Sequence, residues 1–207
     1  GFDLTVVPEQ AEPDGDFPSV QFPNPEEAGA LKLGIALAKA RNAGIVIATD
    51  PDADRIGIAV RHDGDFVMLN GNQHGVLLTD YVFGGLKETG KLPRRPAFVN
   101  TIVTTELQRL VATSYGAEVY QCLTGFKWIA DRIRHFEQTK GPDYVMGGEE
   151  SYGFLIGTEV RDKDAITATL LTIEMAVYWN SKGKTLVDRL HEIFRQHGFY
   201  QEVQISK

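Results

Sequence analysis

An apolar run, Ile45-Val46-Ile47-Ala48, leads straight into Asp50-Pro51-Asp52-Ala53-Asp54-Arg55, and this junction limits the fold more than any other stretch. A short, β-branched, continuous apolar run reads as a buried parallel strand. The acidic loop then falls at the carboxyl end of that strand, which is where ligands bind in open α/β sheets. Three carboxylates at alternate positions repel one another, and a hard cation resolves the conflict. An all-oxygen donor set with an arginine beside it favours Mg²⁺ facing a phosphate over zinc or copper.

Neighbouring motifs can be tested against the same residues. A calcium EF-hand loop also opens D-x-D-x-D, but it needs Gly at its sixth position and Glu at its twelfth. Arg55 and Arg61 stand there, which excludes it. A phosphatase of the haloacid-dehalogenase type, with Asp50 or Asp52 as nucleophile, remains a competing reading. The bland alternative is a solvated acidic loop that caps a helix.

With 207 residues the chain can form one large domain or two small ones. A net charge of -7 with no basic cluster argues against nucleic acid and against anionic membrane as partners. An acidic protein that takes an anionic substrate must do so with individual Lys and Arg side chains. Cys122 is the only cysteine, so no internal disulfide can form, which suits a reducing cytoplasm. Cys122 itself reads as a packed strand residue. No stretch has the apolar length of a membrane span, and no signal peptide is visible. The abrupt start at Gly1-Phe2-Asp3, without Met, reads as an excised piece.

The pattern predicts a strand at Leu4–Val7 and a breaker-rich loop from Pro8 to Pro23. A helix follows, with Asn24 as N-cap, Pro25 in the first position and Gly44 just past its end. After the acidic loop come a strand at Ile56–Val60, a hairpin turn at His62–Asp65, a strand at Phe66–Leu69 and a helix from Gly71. Glu88–Pro96 is polar and rich in breakers and reads as a linker, dividing the chain into domains at 1–92 and 93–207. Beyond it the strand–helix rhythm restarts. Strands are expected at Phe98–Val103, Ala117–Cys122 and Tyr144–Met146, and helices after Thr124, Asp164 and Thr185, each of these three serving as a cap. The fold class is α/β: two consecutive α/β domains with mixed, mostly parallel sheets and flanking helices.

A second loop, Gly148-Glu149-Glu150-Ser151-Tyr152-Gly153, also follows a strand. Its glycines let the backbone approach a ligand, and its Glu and Ser side chains match sugar hydroxyls. Read alone, it is equally an exposed turn. In Thr124-Gly125-Phe126-Lys127, the lysine sits in the first turn of a helix. A cation there opposes the helix dipole, an arrangement that invites an anionic ligand, although a solvated lysine fits too.

Together these loops resemble the α-D-phosphohexomutases, the phosphoglucomutase/phosphomannomutase family. Asp50-Pro51-Asp52-Ala53-Asp54-Arg55 looks like the metal loop of that family, and Gly148-Glu149-Glu150-Ser151 like its sugar-recognition loop. Asp14–Pro18 with Pro23-Asn24-Pro25-Glu26, and Arg161-Asp162-Lys163-Asp164-Ala165, resemble the segments that flank them. The resemblance implies the second and third of four domains around one cleft, without the first strand and helix of the second. It implies that the phosphoserine loop and the phosphate-clamp loop lie in domains absent here. The full enzyme would move a phosphoryl group between C1 and C6 of a hexose through an enzyme phosphoserine and a bisphosphate intermediate. Pentose phosphates are a further possibility. Asp50, Asp52 and Asp54 would hold Mg²⁺, and Arg55 would face the phosphoryl group. Glu149 and Ser151 would grip two sugar hydroxyls. Lys127 would contact substrate or assist proton transfer. This piece alone is expected to be inactive. A stand-alone phosphatase and a non-catalytic sugar-phosphate-binding module are the alternatives.

Overall fold

The computed structural model describes residues 3–202. Strands β1 (Ile45–Thr49), β2 (Ile56–His62) and β3 (Asp65–Leu69) form an antiparallel sheet in chain order, with Ile47 opposite Ile58 and Val60 opposite Val67. The parallel reading of β1 is therefore corrected. The Asp50–Arg55 connection is too short for a parallel crossover, which needs a dozen or more residues, so the chain must double back. β1 is an edge strand in which only Val46 is buried. The β2–β3 turn has positive φ at Asp63 and Gly64, the conformation that favours such pairs in two-residue hairpins.

Leu4–Val7 does not form the expected strand. It has no regular structure, is exposed from Leu4 to Val6 and half-buried at Val7, and forms no ladder to β1 among the described residues. Between Leu4–Val20, β1 and the Ile173–Val177 stretch lies an open groove of about 1580 Å³. Helix α1 spans Ala28–Arg41, starting later than expected. Asn24 does not cap it. Its Oδ1 accepts the Glu26 N–H at 3.0 Å and its carbonyl accepts the Glu27 N–H at 3.0 Å, which makes a tight turn ahead of the helix. At the other end Asn42, in the left-handed region at φ 55, takes the terminating role expected of Gly44.

Helix α2 (Gly71–Glu88) opens with a capping box in which Asn70 Oδ1 accepts the Gln73 N–H and Gln73 Oε1 accepts the Asn70 N–H. A second sheet has the order β5 (Glu118–Cys122), β4 (Pro96–Thr101), β6 (Asp143–Gly148), β7 (Phe154–Ile156). β5, β4 and β6 are parallel, and β7 runs antiparallel to β6. Ile102 and Val103, expected inside β4, lie beyond it and are exposed. Cys122 ends β5 half-buried, and burial pushes its thiol up to about 11.

Helices α3 (Glu106–Ser114), α4 (Phe126–Thr139), α5 (Ala165–Ser181) and α6 (Leu186–His197) complete the chain. Asp164 caps α5 as expected, and Thr185 with Asp188 forms the capping box of α6. Thr124 does not cap α4; Gly125, at φ 113, holds that position. One core joins Ile56, Ile58 and Val60 of the first sheet to Phe98 and Met146 of the second through α2, α3, α5 and α6. α4 covers the opposite face of the second sheet, and α1 the opposite face of the first. Among the described residues no helix is long and apolar enough to cross a membrane.

Candidate metal and substrate site

The acidic loop is a hairpin connection, and its backbone gathers its carboxylates. Asp50 Oδ1 accepts the N–H groups of Asp54 at 3.0 Å and Arg55 at 2.9 Å. Ala53 adopts φ 55, which turns the chain so that Asp50, Asp52 and Asp54 bring one oxygen each within 4.8 Å of one another. Burial pushes the Asp50 carboxyl above its ordinary range, as do Asp54 and Asp52, against the Arg55 N–H that draws it down. Three converging hard oxygens, with charges that repel, fit a divalent oxygen-seeking cation such as Mg²⁺.

Two contacts bind this loop to the second one. Arg55 and Gly153 form an antiparallel bridge, and the Ile56 N–H donates to the Tyr152 carbonyl at 3.0 Å. The first sheet thus continues into the loop between β6 and β7. A third contact comes from α5, whose Ala165 N–H donates to the Ala53 carbonyl at 3.1 Å.

The second loop is held from below. Glu149 is buried, and its Oε1 accepts the Gly125 N–H at 2.8 Å, which ties it to the start of α4 and hence to Lys127. Glu150 Oε2 accepts the hydroxyls of Thr101 at 3.3 Å and Thr104 at 3.1 Å. Tyr152 sits at φ 67, unusual for a non-glycine residue. Gly71, at the start of α2, packs so closely that a Cβ there would collide with the Glu150 carbonyl. Ser151 is half-buried, and its hydroxyl has no hydrogen-bond partner among the described residues.

The structure thus brings together Asp50, Asp52, Asp54 and Arg55, and sets the Glu149–Ser151 loop beside them. Lys127 is on the adjoining α4 start but exposed, its Nζ 5.3 Å from the Trp128 ring centroid. Lys163 stands closer to the acids. Its Nζ lies 2.8 Å from Asp54 Oδ2, and its side chain is only 14% exposed. Sequence reasoning marked the segment around Lys163 but gave that residue no role. Glu26, Thr101 and Thr104 were missed as well, because only folding brings them to the loops, and Glu150, quoted within the second loop, was given no role because its Thr101 and Thr104 partners are distant in sequence.

Residues 1–64 match the model "Phosphoglucomutase/phosphomannomutase, alpha/beta/alpha domain II", and residues 70–197 match the corresponding domain III model. A phosphoglucomutase from Staphylococcus epidermidis is 41% identical over 202 residues, 97% of this chain, and one from Staphylococcus saprophyticus is 38% identical over 201 residues, 96% of it. The chain spans 36% of the length of either relative. Among solved structures, a putative phosphomannomutase from Thermus thermophilus superposes with a TM-score of 0.62 at 28% identity, covering 84% of this chain and 35% of that one.

Proposed function

Since the chain belongs to the phosphoglucomutase/phosphomannomutase family, we propose that it forms the cation-binding and sugar-recognition part of a phosphohexomutase, an intramolecular phosphotransferase. The observation that carries this reading is the stitching of the acidic loop to the Glu149–Ser151 loop through Arg55–Gly153 and Ile56–Tyr152. A phosphoryl group held at the aspartates would then stand beside hydroxyl-binding side chains on a common rigid frame. Phosphoryl transfer depends mostly on positioning and charge neutralisation; such a frame provides the positioning, and Arg55 with a bound cation would provide the neutralisation.

Asp50, Asp52 and Asp54 would hold Mg²⁺. The chemistry such an ion supplies when bound is Lewis-acid polarisation of a phosphoryl oxygen. Arg55, whose backbone is fixed by Asp50, would present its guanidinium to the transferring group. Glu149 has one oxygen committed to Gly125 and the other available to a sugar hydroxyl, while the Ser151 hydroxyl has no partner among the described residues to give up. Lys127, in the first turn of the helix that Gly125 caps, would reach the substrate's anionic end. The substrate is a hexose phosphate, with a pentose phosphate as the other candidate. The remaining domains of a full-length enzyme would supply the phosphoserine and the phosphate clamp.

Assay of the purified chain, alone and within a full-length family enzyme, tests this proposal. The chain alone should leave glucose 1-phosphate unconverted, and the complete enzyme should form glucose 6-phosphate. Turnover by the chain alone, or a complete enzyme indifferent to loss of Asp50, Asp52 and Asp54, would overturn it.

A further inference from the structure

Arg55 is surrounded by carboxylates without closing on any of them. Its Nε lies 3.9 Å from Asp50 Oδ2 and 3.9 Å from Asp54 Oδ1, and its Nη1 lies 3.9 Å from Glu26 Oε1. Nε–H and Nη1 occupy opposite edges of the planar guanidinium, so the group is drawn towards the acidic loop on one side and towards Glu26 on the other. Its Nη2 tip is the nearest nitrogen to none of the three.

Glu26 is built into that position. The Asn24 side chain fixes the Glu26 N–H at 3.0 Å, and the Asn24 carbonyl fixes that of Glu27. Pro25 is seated on β2 so closely that a side chain at Gly57 would strike the Pro25 carbonyl. The Glu26 side chain is 18% exposed. Burial raises its carboxyl, Arg55 lowers it, and the nearby Glu150 and Glu27 raise it again. Arg55 thus supplies the stabilising charge to Glu26 in a site otherwise crowded with anions.

We propose that Glu26 is a positioning residue that holds the Arg55 guanidinium back from Asp50 and Asp54. Without it, the remaining close attraction on Arg55 points into the acidic loop, the 3.9 Å gaps close into direct ion pairs, and a divalent cation has to displace an arginine to bind. With it, the aspartates stay open and Nη2 stays available to a phosphoryl oxygen. This last consequence rests on the function proposed above; the Glu26–Arg55 relationship does not.

The test uses the chain labelled with nitrogen-15, with Glu26→Gln as the near-isosteric variant. In the absence of metal, the Arg55 Nε–H resonance should shift in Glu26→Gln as the guanidinium moves onto the aspartates. Calorimetric titration with Mg²⁺ should then show binding weakened about fivefold, the scale of one partly exposed ion pair. In an Arg55→Gln background, Glu26→Gln should leave Mg²⁺ affinity unchanged. Glu26→Asp, whose carboxylate is withdrawn, gives the same direction should Glu26→Gln fail to fold. An unchanged Arg55 resonance, or a weakening that persists in full without Arg55, overturns the proposal. If the unaltered chain takes up no Mg²⁺, the cation-site reading fails instead, and the Arg55 resonance alone decides the role of Glu26.

Discussion

Lys163 Nζ lies 2.8 Å from Asp54 Oδ2, so an ammonium of the chain itself already stands at one corner of the acidic loop. Asp162 Oδ1 is 3.2 Å from the same nitrogen, and the Phe126 ring centroid lies 5.5 Å away. Burial lowers the Lys163 ammonium, but the bonds to Asp54 and Asp162 outweigh that and keep it above its ordinary range. The lysine stem lies against Gly153 and its nitrogen against Asp54, so this one side chain touches both candidate loops.

A resident ammonium competes with an incoming cation for Asp54. Lys163→Met should therefore bind Mg²⁺ more tightly, by roughly three- to tenfold, since a half-buried ion pair contributes about 1 kcal/mol. Isothermal titration calorimetry on the two chains checks this. Equal or weaker binding by the variant would show that Lys163 does not compete.

Gly71 takes a side chain poorly because the atom in the way is backbone. A Cβ there would run into the Glu150 carbonyl and press on the Tyr152 N–H. Gly71→Ala should cost about 1–3 kcal/mol of stability, the usual range for overpacking. Gly85→Ala, on the same helix but facing open space, should not destabilise. Urea unfolding of both variants measures the contrast.

Glu149 is committed to structure as well as offered to a ligand. Glu149→Ala would leave the part-buried Gly125 N–H without its 2.8 Å partner, at a cost of about 1 kcal/mol. Hydrogen exchange at Gly125 should accelerate in this variant and should stay slow in Ser151→Ala, which removes no hydrogen bond among the described residues. Equal exchange in the two would contradict the assignment.

His74 lies fully buried in α2, its Nε2 2.8 Å from Thr172 Oγ1 and its ring against Phe154. Burial pushes its pKa down from 6.5 to about 3. The unfolded chain therefore takes up a proton below about pH 6.5 that the folded chain refuses until about pH 3. Stability attributable to this group is complete above pH 6.5 and declines as pH falls, at about 1.4 kcal/mol per pH unit. The slope of unfolding free energy against pH between 6 and 4 should be flatter by about that amount in His74→Gln. Matching slopes would show that His74 titrates normally.

Much of the local chemistry was legible along the chain. The Asp63-Gly64 turn, the Asp164 cap and the Thr185–Asp188 box appear where residue preference puts them, because each depends on side chains a few positions apart. The helix starts near Asn24 and Thr124 went differently for a related reason. Asn24 found a closer backbone partner in a turn, and Gly125 took the cap position with its N–H given to Glu149, a residue distant in sequence.

The sequence by itself determined which side chains the acidic loop carries, and that they stand where a strand ends. It also determined the α/β class, since alternating apolar runs and capped helical patterns are short-range properties. The tertiary structure alone decided that β1 is antiparallel and at an edge, and that Arg55 pairs with Gly153 while facing Glu26. It also decided that Lys163 reaches Asp54. Strand direction, cross-strand pairing and charge placement depend on which segments meet once the shared core closes, and periodicity along a chain holds no record of those meetings.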